Sequence, residues 1–161
     1  MRLFTPTRRG PQSGLTLVEL IVAFTIMLLL TTMAVPLARS KVRRNKEREL
    51  RIALREVRTA IDKFKDAVDA QKIPMPKLES NGYPETLESL VEGVKGTGTN
   101  ADTKVKFLRR IPKDPFTNST DWGKRSMQDD PKSGGWGGQN VFDVYTKSNE
   151  RAADGTSYSE W

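Results

Sequence analysis

Ser13-Gly14-Leu15-Thr16-Leu17-Val18-Glu19 opens a long apolar stretch that continues to Ala38 and decides how the rest of the chain is organised. About twenty apolar residues follow Gly14, and at a rise of 1.5 Å per residue they can cross the roughly 30 Å hydrocarbon core of a bilayer. We therefore predict that residues 15–38 form a transmembrane helix and that the chain crosses the membrane once.

Glu19 is the single charged side chain between Leu15 and Ala38. A carboxylate costs about 2.5–3.5 kcal/mol at the centre of a bilayer and less near its surface, so it usually has a partner there. Cleavage after Gly14 would create a free amine on Leu15, one helical turn before Glu19, with a reference pKa of about 7.7–8. We expect this amine to neutralise Glu19.

The segment from Gly14 to Leu20 resembles the class III signal sequence of type IV pilins and type II secretion pseudopilins. The resemblance implies that a prepilin peptidase cleaves between Gly14 and Leu15 and then methylates the amine of Leu15. Glu19 becomes the fifth mature residue, where the family keeps its glutamate, and Pro36 matches the helix-kinking proline. The resemblance assigns both residues to filament assembly.

Residues 1–14, with Arg2, Arg8 and Arg9, are then a leader peptide that stays in the cytoplasm. An ordinary secretory signal peptide is the first alternative, but its apolar core has about 7–15 residues and ends at a cleavage site. A plain membrane anchor is the second alternative. It explains the length of the apolar stretch but not the spacing of Gly14 and Glu19.

The composition excludes several classes of site. The chain has 161 residues and contains no cysteine and no histidine. Disulfides, zinc sites made of cysteine or histidine, Ser-His-Asp triads and cysteine nucleophiles are therefore impossible. The carboxylates are scattered, without a motif that would position a general acid and base, so we expect no enzyme. Many type IV pilins close a C-terminal loop with a disulfide, so the missing cysteines favour a pseudopilin.

The net charge of +7 is concentrated in one region. Residues 39–72 contain twelve basic and six acidic side chains, whereas residues 73–161 are nearly balanced. Because the basic residues follow the apolar stretch directly, we expect them to contact lipid headgroups, and we expect no nucleic acid partner.

Residues 39–72 are predicted to form an amphipathic stem helix that ends before Pro74. Apolar side chains recur there at helical spacing: Leu50, Leu54, Val57, Ile61, Phe64 and Val68, with Ala53, Ala60 and Ala67. This stripe predicts packing on a small antiparallel sheet, with a coiled coil as the alternative. On the exposed face we expect the ion pairs Glu47/Arg51 and Asp62/Lys65. At Pro36 we expect a kink or a locally melted turn.

Residues 73–161 are predicted to form a periplasmic globular domain. A short helix lies within 81–94, with Thr86 and Ser89 as candidate caps and Leu87, Leu90 and Val91 on one face, and residues 93–100 form a loop. The alternation in residues 139–146 predicts a strand that pairs with 123–127 or with the segment after Phe107.

Residues 107–116 include Pro112-Lys113-Asp114-Pro115 and resemble the segment that leads into the sheet of the major pseudopilin. The two prolines predict a rigid extended corner.

The tail at 146–156 corresponds in position to the calcium loop of that family, which makes Asp154 and Glu160 the candidate metal ligands. In this chain Arg151 lies within the corresponding loop, and the two consecutive aspartates of the family's calcium loop are absent. We therefore expect no cofactor and a loop closed by Tyr158 and Trp161, with Ca²⁺ as the alternative.

Together these features predict an α+β pilin fold, in which a long N-terminal helix packs its second half on a small antiparallel sheet. The resemblance implies a pseudopilin in the bacterial inner membrane, with its C-terminal domain in the periplasm. An assembly platform and its ATPase would extract the subunit into a homo-oligomeric filament with minor pseudopilins, which drives type II protein secretion. The alternative is a type IV pilus subunit for adhesion, motility or DNA uptake.

Overall fold

The computed structural model describes residues 14, 16–98, 101–131 and 133–161, without the side chains of 33–35 and 37. Two compact units divide the chain: the first ends at Val42 and the second is Arg43–Trp161. The helices are α1 (Leu17–Asp69), α2 (Leu87–Glu92) and the 3₁₀ helices Leu78–Ser80 and Tyr158–Glu160, and the strands are β1 (Val94–Lys95), β2 (Lys104–Val105), β3 (Gly123–Arg125) and β4 (Asp143–Tyr145). This α+β arrangement is compatible with the predicted pilin fold.

Helix α1 ends before Pro74, as predicted. Gln71 adopts a left-handed conformation with φ of 55°. Its N–H donates to the carbonyl of Val68 over 2.9 Å, and the N–H of Lys72 donates to the carbonyl of Ala67 over 2.9 Å. These two bonds form a Schellman cap, which usually has glycine at the left-handed position.

Pro36 lies inside α1, and the helix continues through it without interruption. The locally melted turn predicted as one alternative is therefore absent, because the neighbouring turns keep their helical conformation. Among the described residues no helix is both long enough and apolar enough to span a membrane, so the transmembrane helix expected over 15–38 is not confirmed.

The apolar stripe of α1 forms the core of the second unit, as predicted. Leu50, Val57 and Ile61 have no exposed surface, and Phe64 is 1% exposed. Other elements contribute the remaining buried apolar side chains: Ile73, Leu87, Leu90, Leu108, Trp122, Val141, Val144 and Tyr158. Because the stripe is covered by its own domain, it does not serve as a coiled-coil seam.

The sheet differs from the single one that was expected. Strand β1 pairs with β2 and strand β3 pairs with β4, both antiparallel, so the described residues form two separate two-stranded sheets. The predicted pairing of 139–146 with 123–127 is confirmed, with Lys124 opposite Val144. Gly123 lies under the ring of Tyr145, where a Cβ would come within 2.4 Å of the ring. The close approach leaves no room for a larger residue at this position.

The short helix is confirmed as α2. Thr86 is its N-cap, and the N–H of Ser89 donates to the Thr86 hydroxyl over 3.4 Å. Leu87 and Leu90 are buried. The predicted loop at 93–100 is wrong at its start, because residues 94–95 pair with β2 as β1.

Both ion pairs expected on the exposed face of α1 are wrong. Glu47 lies 3.6 Å from Arg43 instead of pairing with Arg51, and Lys65 pairs with Asp69. The guanidinium of Arg51 lies 4.2 Å from the ring centroid of Trp161. Spacing along the helix cannot anticipate this, because an aromatic ring from the C-terminal segment offers Arg51 a competing contact.

Candidate functional site

The predicted cleavage site lies just before α1. Gly14 is exposed, and nothing lies within 4 Å of the position that a Cβ would occupy. Leu15, which was predicted to carry the new amine, lies outside the described residues. The surroundings of Gly14 are therefore open, as a peptidase requires of its substrate, and the cleavage itself stays a prediction.

Thr16 caps α1 and places Glu19 in its first turn. The backbone N–H of Glu19 donates to the Thr16 hydroxyl over 3.3 Å, and the N–H of Leu20 donates to the Thr16 carbonyl over 3.1 Å. Threonine followed three residues later by glutamate is the signature of a capping box, and a negative charge near a helix N-terminus is favourable. This spacing of Thr16 and Glu19 was not among the predicted helix signals. The structure shows the Thr16 half of this box, and Glu19 places a negative charge in the first turn besides its predicted role in assembly.

The helix after Glu19 exposes apolar side chains on every side. Eleven large hydrophobic residues between Leu17 and Leu30 are at least 42% exposed: Leu17, Val18, Leu20, Ile21, Val22, Phe24, Ile26, Met27, Leu28, Leu29 and Leu30. A helix that is apolar all round is stable only when other apolar groups cover it. Lipid or other protein chains must therefore surround this segment.

Three threonines in the same segment satisfy their hydroxyls within the helix. Thr25 donates to the carbonyl of Ile21 over 2.7 Å, Thr31 to that of Met27 over 2.8 Å and Thr32 to that of Leu29 over 2.7 Å. A hydroxyl that bonds to its own helix leaves no free donor to bury. The segment can therefore enter an apolar environment with these three threonine hydroxyls hydrogen-bonded. The presence of threonines in the sequence did not by itself indicate these bonds.

In the second unit, Tyr158 attaches the C-terminal segment to α1. Its hydroxyl donates to Glu47 Oε1 over 2.7 Å and accepts from Arg43 Nε over 3.0 Å. Its ring stacks on Phe116 with centroids 4.2 Å apart and meets Trp161 edge-on at 4.9 Å. Burial raises the pKa of Tyr158 above its ordinary value, and the hydrogen bond and charge of the phenol raise the pKa of Arg43.

Arg58 joins α1 to both β4 and the last residue. It forms a bidentate pair with Asp143, with Nε 2.6 Å from Oδ1 and Nη2 3.2 Å from Oδ2. The same Nη2 donates to the main-chain oxygen of Trp161 over 2.7 Å. This fork fixes strand, helix and C-terminal segment to one another.

The predicted corner at Pro112-Lys113-Asp114-Pro115 contains a buried carboxylate. Asp114 is 2% exposed, and it accepts hydrogen bonds from the N–H of Phe116 over 2.8 Å and from the hydroxyl of Thr146. The two prolines predicted the corner, whereas no local pattern indicated the contacts of the aspartate between them.

The predicted metal ligands do not lie in a cluster of acidic residues. Asp154 accepts from the hydroxyl and N–H of Thr156 over 2.7 and 3.0 Å, and these bonds lower the pKa of Asp154. Glu160 lies in the last 3₁₀ helix. In the part of the chain that the structure describes, no three acidic side chains are grouped so that they could hold a metal ion. Calcium binding by Asp154 and Glu160 stays untested, whereas Tyr158 and Trp161 close this loop by packing, as expected.

Comparison with known families agrees with the interpretation of the N-terminal segment. Residues 9–35 match the family described as the prokaryotic N-terminal methylation motif. This motif is typical of membrane-anchored, extracytoplasmic pilin-like proteins, which are structural subunits rather than enzymes. No curated protein and no solved structure is significantly similar to the chain.

Proposed function

We propose that this chain is a pseudopilin, a subunit that polymerises through its N-terminal helix into a periplasmic filament and thereby drives type II protein secretion. The methylation motif at residues 9–35 carries the broader part of the proposal, a type IV pilin-like subunit that a prepilin peptidase processes and that assembles into filaments. In the proposed pathway, cleavage after Gly14 frees the amine of Leu15, which is then methylated.

The apolar half of α1 has two successive environments in this proposal. Before assembly, residues 15–38 lie in the inner membrane, and afterwards the helices of neighbouring subunits cover them. The exposed side chains between Leu17 and Leu30 and the internally bonded threonines support both, because each environment is apolar and offers no hydrogen bonds. Pro36 is the point at which the helix loosens on assembly.

Glu19 supplies the register of the filament. Its carboxylate neutralises the amine of Leu15, in the same chain or in a neighbouring one, as the subunit leaves the membrane. A subunit in the wrong register would bury an unpaired charge, which costs several kcal/mol. The described residues offer Glu19 no ion-pair partner, which leaves its carboxylate available.

A secretion filament is favoured over a surface pilus by two features of the sequence. The chain has no cysteine for the disulfide that closes many pilin loops, and residues 107–116 resemble the major pseudopilin segment. A type IV pilus subunit is the second candidate, and long surface fibres would identify it.

The intact mass of the protein purified from native membranes tests the pathway. We expect a chain that begins at Leu15 and is heavier by one methyl group. A chain that retains residues 1–14 would show an ordinary anchor and would overturn the proposal. Deletion of the gene that encodes this chain should then abolish secretion of folded proteins and leave surface fibres unchanged. Loss of surface fibres with normal secretion would instead identify a pilus subunit.

A further inference from the structure

Helix α1 carries a row of arginines on one face of the second unit. The row consists of Arg44, Arg48, Arg51, Arg55 and Arg58, which follow one another at helical spacings of four and three residues. Residues at this spacing lie on the same side of a helix. We call these five residues the basic row.

Three members of the basic row have no acidic partner. Arg58 pairs with Asp143 and Arg51 lies over Trp161, whereas Arg44, Arg48 and Arg55 are exposed and form no ion pair with any described residue. A groove of about 510 Å³ runs beside the row and is lined by Arg51, Leu54, Arg55, Arg58, Thr59, Asp62 and Trp161. The row therefore presents free guanidinium groups next to a concave surface that can receive another chain.

An acidic segment, residues 78–92, lies elsewhere in the same unit. It contains four glutamates and no lysine or arginine. Glu85 pairs with Lys77, whereas Glu79, Glu88 and Glu92 are exposed and without an ion-pair partner in the described ranges. Glu88 and Glu92 are like charges at i,i+4, and Glu92 stands in the last turn of α2, so both placements destabilise this helix by a few tenths of a kcal/mol. Glu88 lies in the first turn, where a negative charge is favourable, so helix stability leaves Glu92 unexplained.

The first part of the acidic segment contacts α1 beyond the basic row, at Lys65. Atoms of the Lys65 side chain lie 3.1 Å from the position of a Cβ on Gly82, and its Nζ lies 5.9 Å from the ring centroid of Tyr83. Lys65 is about 15 Å further along the helix axis than Arg55. Among the described residues, no ion pair joins the acidic segment to the basic row within one chain.

We propose that the basic row of one copy binds the acidic segment of a second copy. The contact joins two different surfaces of the same chain, so it is heterologous and adds copies in a line rather than closing a pair. This inference rests on the proposed function and deepens it, because it names the contact between the domains of neighbouring subunits. Complementary charge favours a copy of the same chain as the occupant, since the three unpaired glutamates of the acidic segment match the three free arginines of the row.

Engineered disulfides test the contact without requiring visible filaments. Full-length chains with Arg55→Cys and with Glu88→Cys are co-expressed with a prepilin peptidase, and their membranes are treated with a mild oxidant. Since the natural chain has no cysteine, each product is unambiguous. The matched control pairs Lys63→Cys with Glu88→Cys, because Lys63 is exposed on the same helix but lies outside the basic row. We expect at least about fivefold more mixed dimer from Arg55→Cys with Glu88→Cys than from Lys63→Cys with Glu88→Cys, because complementary charges bring the two surfaces together. Equal yields would overturn the contact.

Charge reversal separates the contact from the proposed function. The variants Arg48→Glu/Arg55→Glu and Glu88→Lys/Glu92→Lys should each lower the yield of filaments at least about tenfold, and the combination of all four changes in one chain should restore it, because both surfaces are then reversed together. If the natural chain forms filaments and the two double variants do so equally well, the contact is wrong and the proposed function stands. If the mixed dimer forms but the natural chain never assembles, the contact stands and the proposed function fails.

Discussion

At the scale of single residues, the buried carboxylate of Asp114 gives the segment between Pro112 and Pro115 its hydrogen bonds to the rest of the domain. It is the only carboxylate among the buried residues that the structure describes. Its backbone N–H donates to the carbonyl of Ser119 over 2.9 Å, while its side chain accepts from Phe116 and Thr146. One side chain thus ties the proline corner to the chain that follows β4.

Replacement of Asp114 tests this function. Asp114→Ala leaves the N–H of Phe116 and the buried hydroxyl of Thr146 without their acceptor, so the free energy of unfolding should fall by about 2–4 kcal/mol. Asp114→Asn keeps an acceptor oxygen and should lose less. Urea unfolding of the variants measures both values, and Lys113→Ala, an exposed neighbour, should change stability by no more than about 0.5 kcal/mol. An equal loss in Asp114→Ala and Lys113→Ala would contradict the role of the carboxylate.

At the scale of elements, the phenol of Tyr158 links the 3₁₀ helix Tyr158–Glu160 to α1 through two hydrogen bonds. Tyr158→Phe removes the hydrogen bonds to Glu47 and Arg43 but keeps the ring stacked on Phe116. We expect a loss of about 1–2 kcal/mol at neutral pH. Tyr83→Phe is the matched control, because the Tyr83 ring also packs edge-on against an aromatic ring while its hydroxyl bonds to no described residue.

The same phenol predicts a pH dependence. Burial raises the pKa of Tyr158 in the folded chain above its unfolded value near 10. The folded state therefore holds the proton more tightly, so the stabilisation is complete below about pH 10 and is lost as the pH rises through the folded pKa. Unfolding measured from pH 8 to pH 11 should show the difference between the natural chain and Tyr158→Phe shrinking above pH 10. A constant difference over this range would contradict the assignment.

Helices were predictable here because their signal is local, whereas of the two sheets only the pairing of β3 with β4 was predicted and the pairing of β1 with β2 was not. The spacing of Leu50, Val57, Ile61 and Phe64 is enough to indicate which face of α1 is buried. Alternation indicated the strand in 139–146, but the close contact of the Tyr145 ring with Gly123 joins distant residues, and no pattern within either strand predicts it.

The same limit applies to the candidate site. Gly14, Leu15, Glu19 and Pro36 follow from spacing within one segment, so sequence alone could single them out. Spacing could not tell which neighbour on α1 Glu47 pairs with, since Arg51 and Glu47 contact side chains from the C-terminal segment that are more than a hundred positions away.

At the scale of the whole molecule, the chain combines a domain with a satisfied core and a helix whose apolar side chains are uncovered. The second unit buries its apolar stripe within itself, and no buried side-chain nitrogen or oxygen among the described residues lacks a hydrogen bond. The segment from Leu17 to Leu30 has no such cover. Burial of this exposed apolar surface is the strongest driving force for association that the molecule offers. Because that force is not directional, a charge is needed to set the register of the helices.

Glu19 is the charge that we expect to set this register, and three substitutions separate it from the capping role of the same residue. Glu19→Ala removes both functions, Glu19→Gln keeps a side chain that suits the third position of a capping box but removes the charge, and Glu19→Asp keeps the charge. Each variant should still be inserted and cleaved, because neither step uses the carboxylate. Filament yield should fall at least about tenfold for alanine and glutamine, since a subunit without the charge cannot neutralise the Leu15 amine, and should fall much less for aspartate. The measurements are mature mass and filament yield for each variant. Normal assembly of Glu19→Gln would show that Glu19 acts through the helix cap alone, and charge pairing would have to be abandoned.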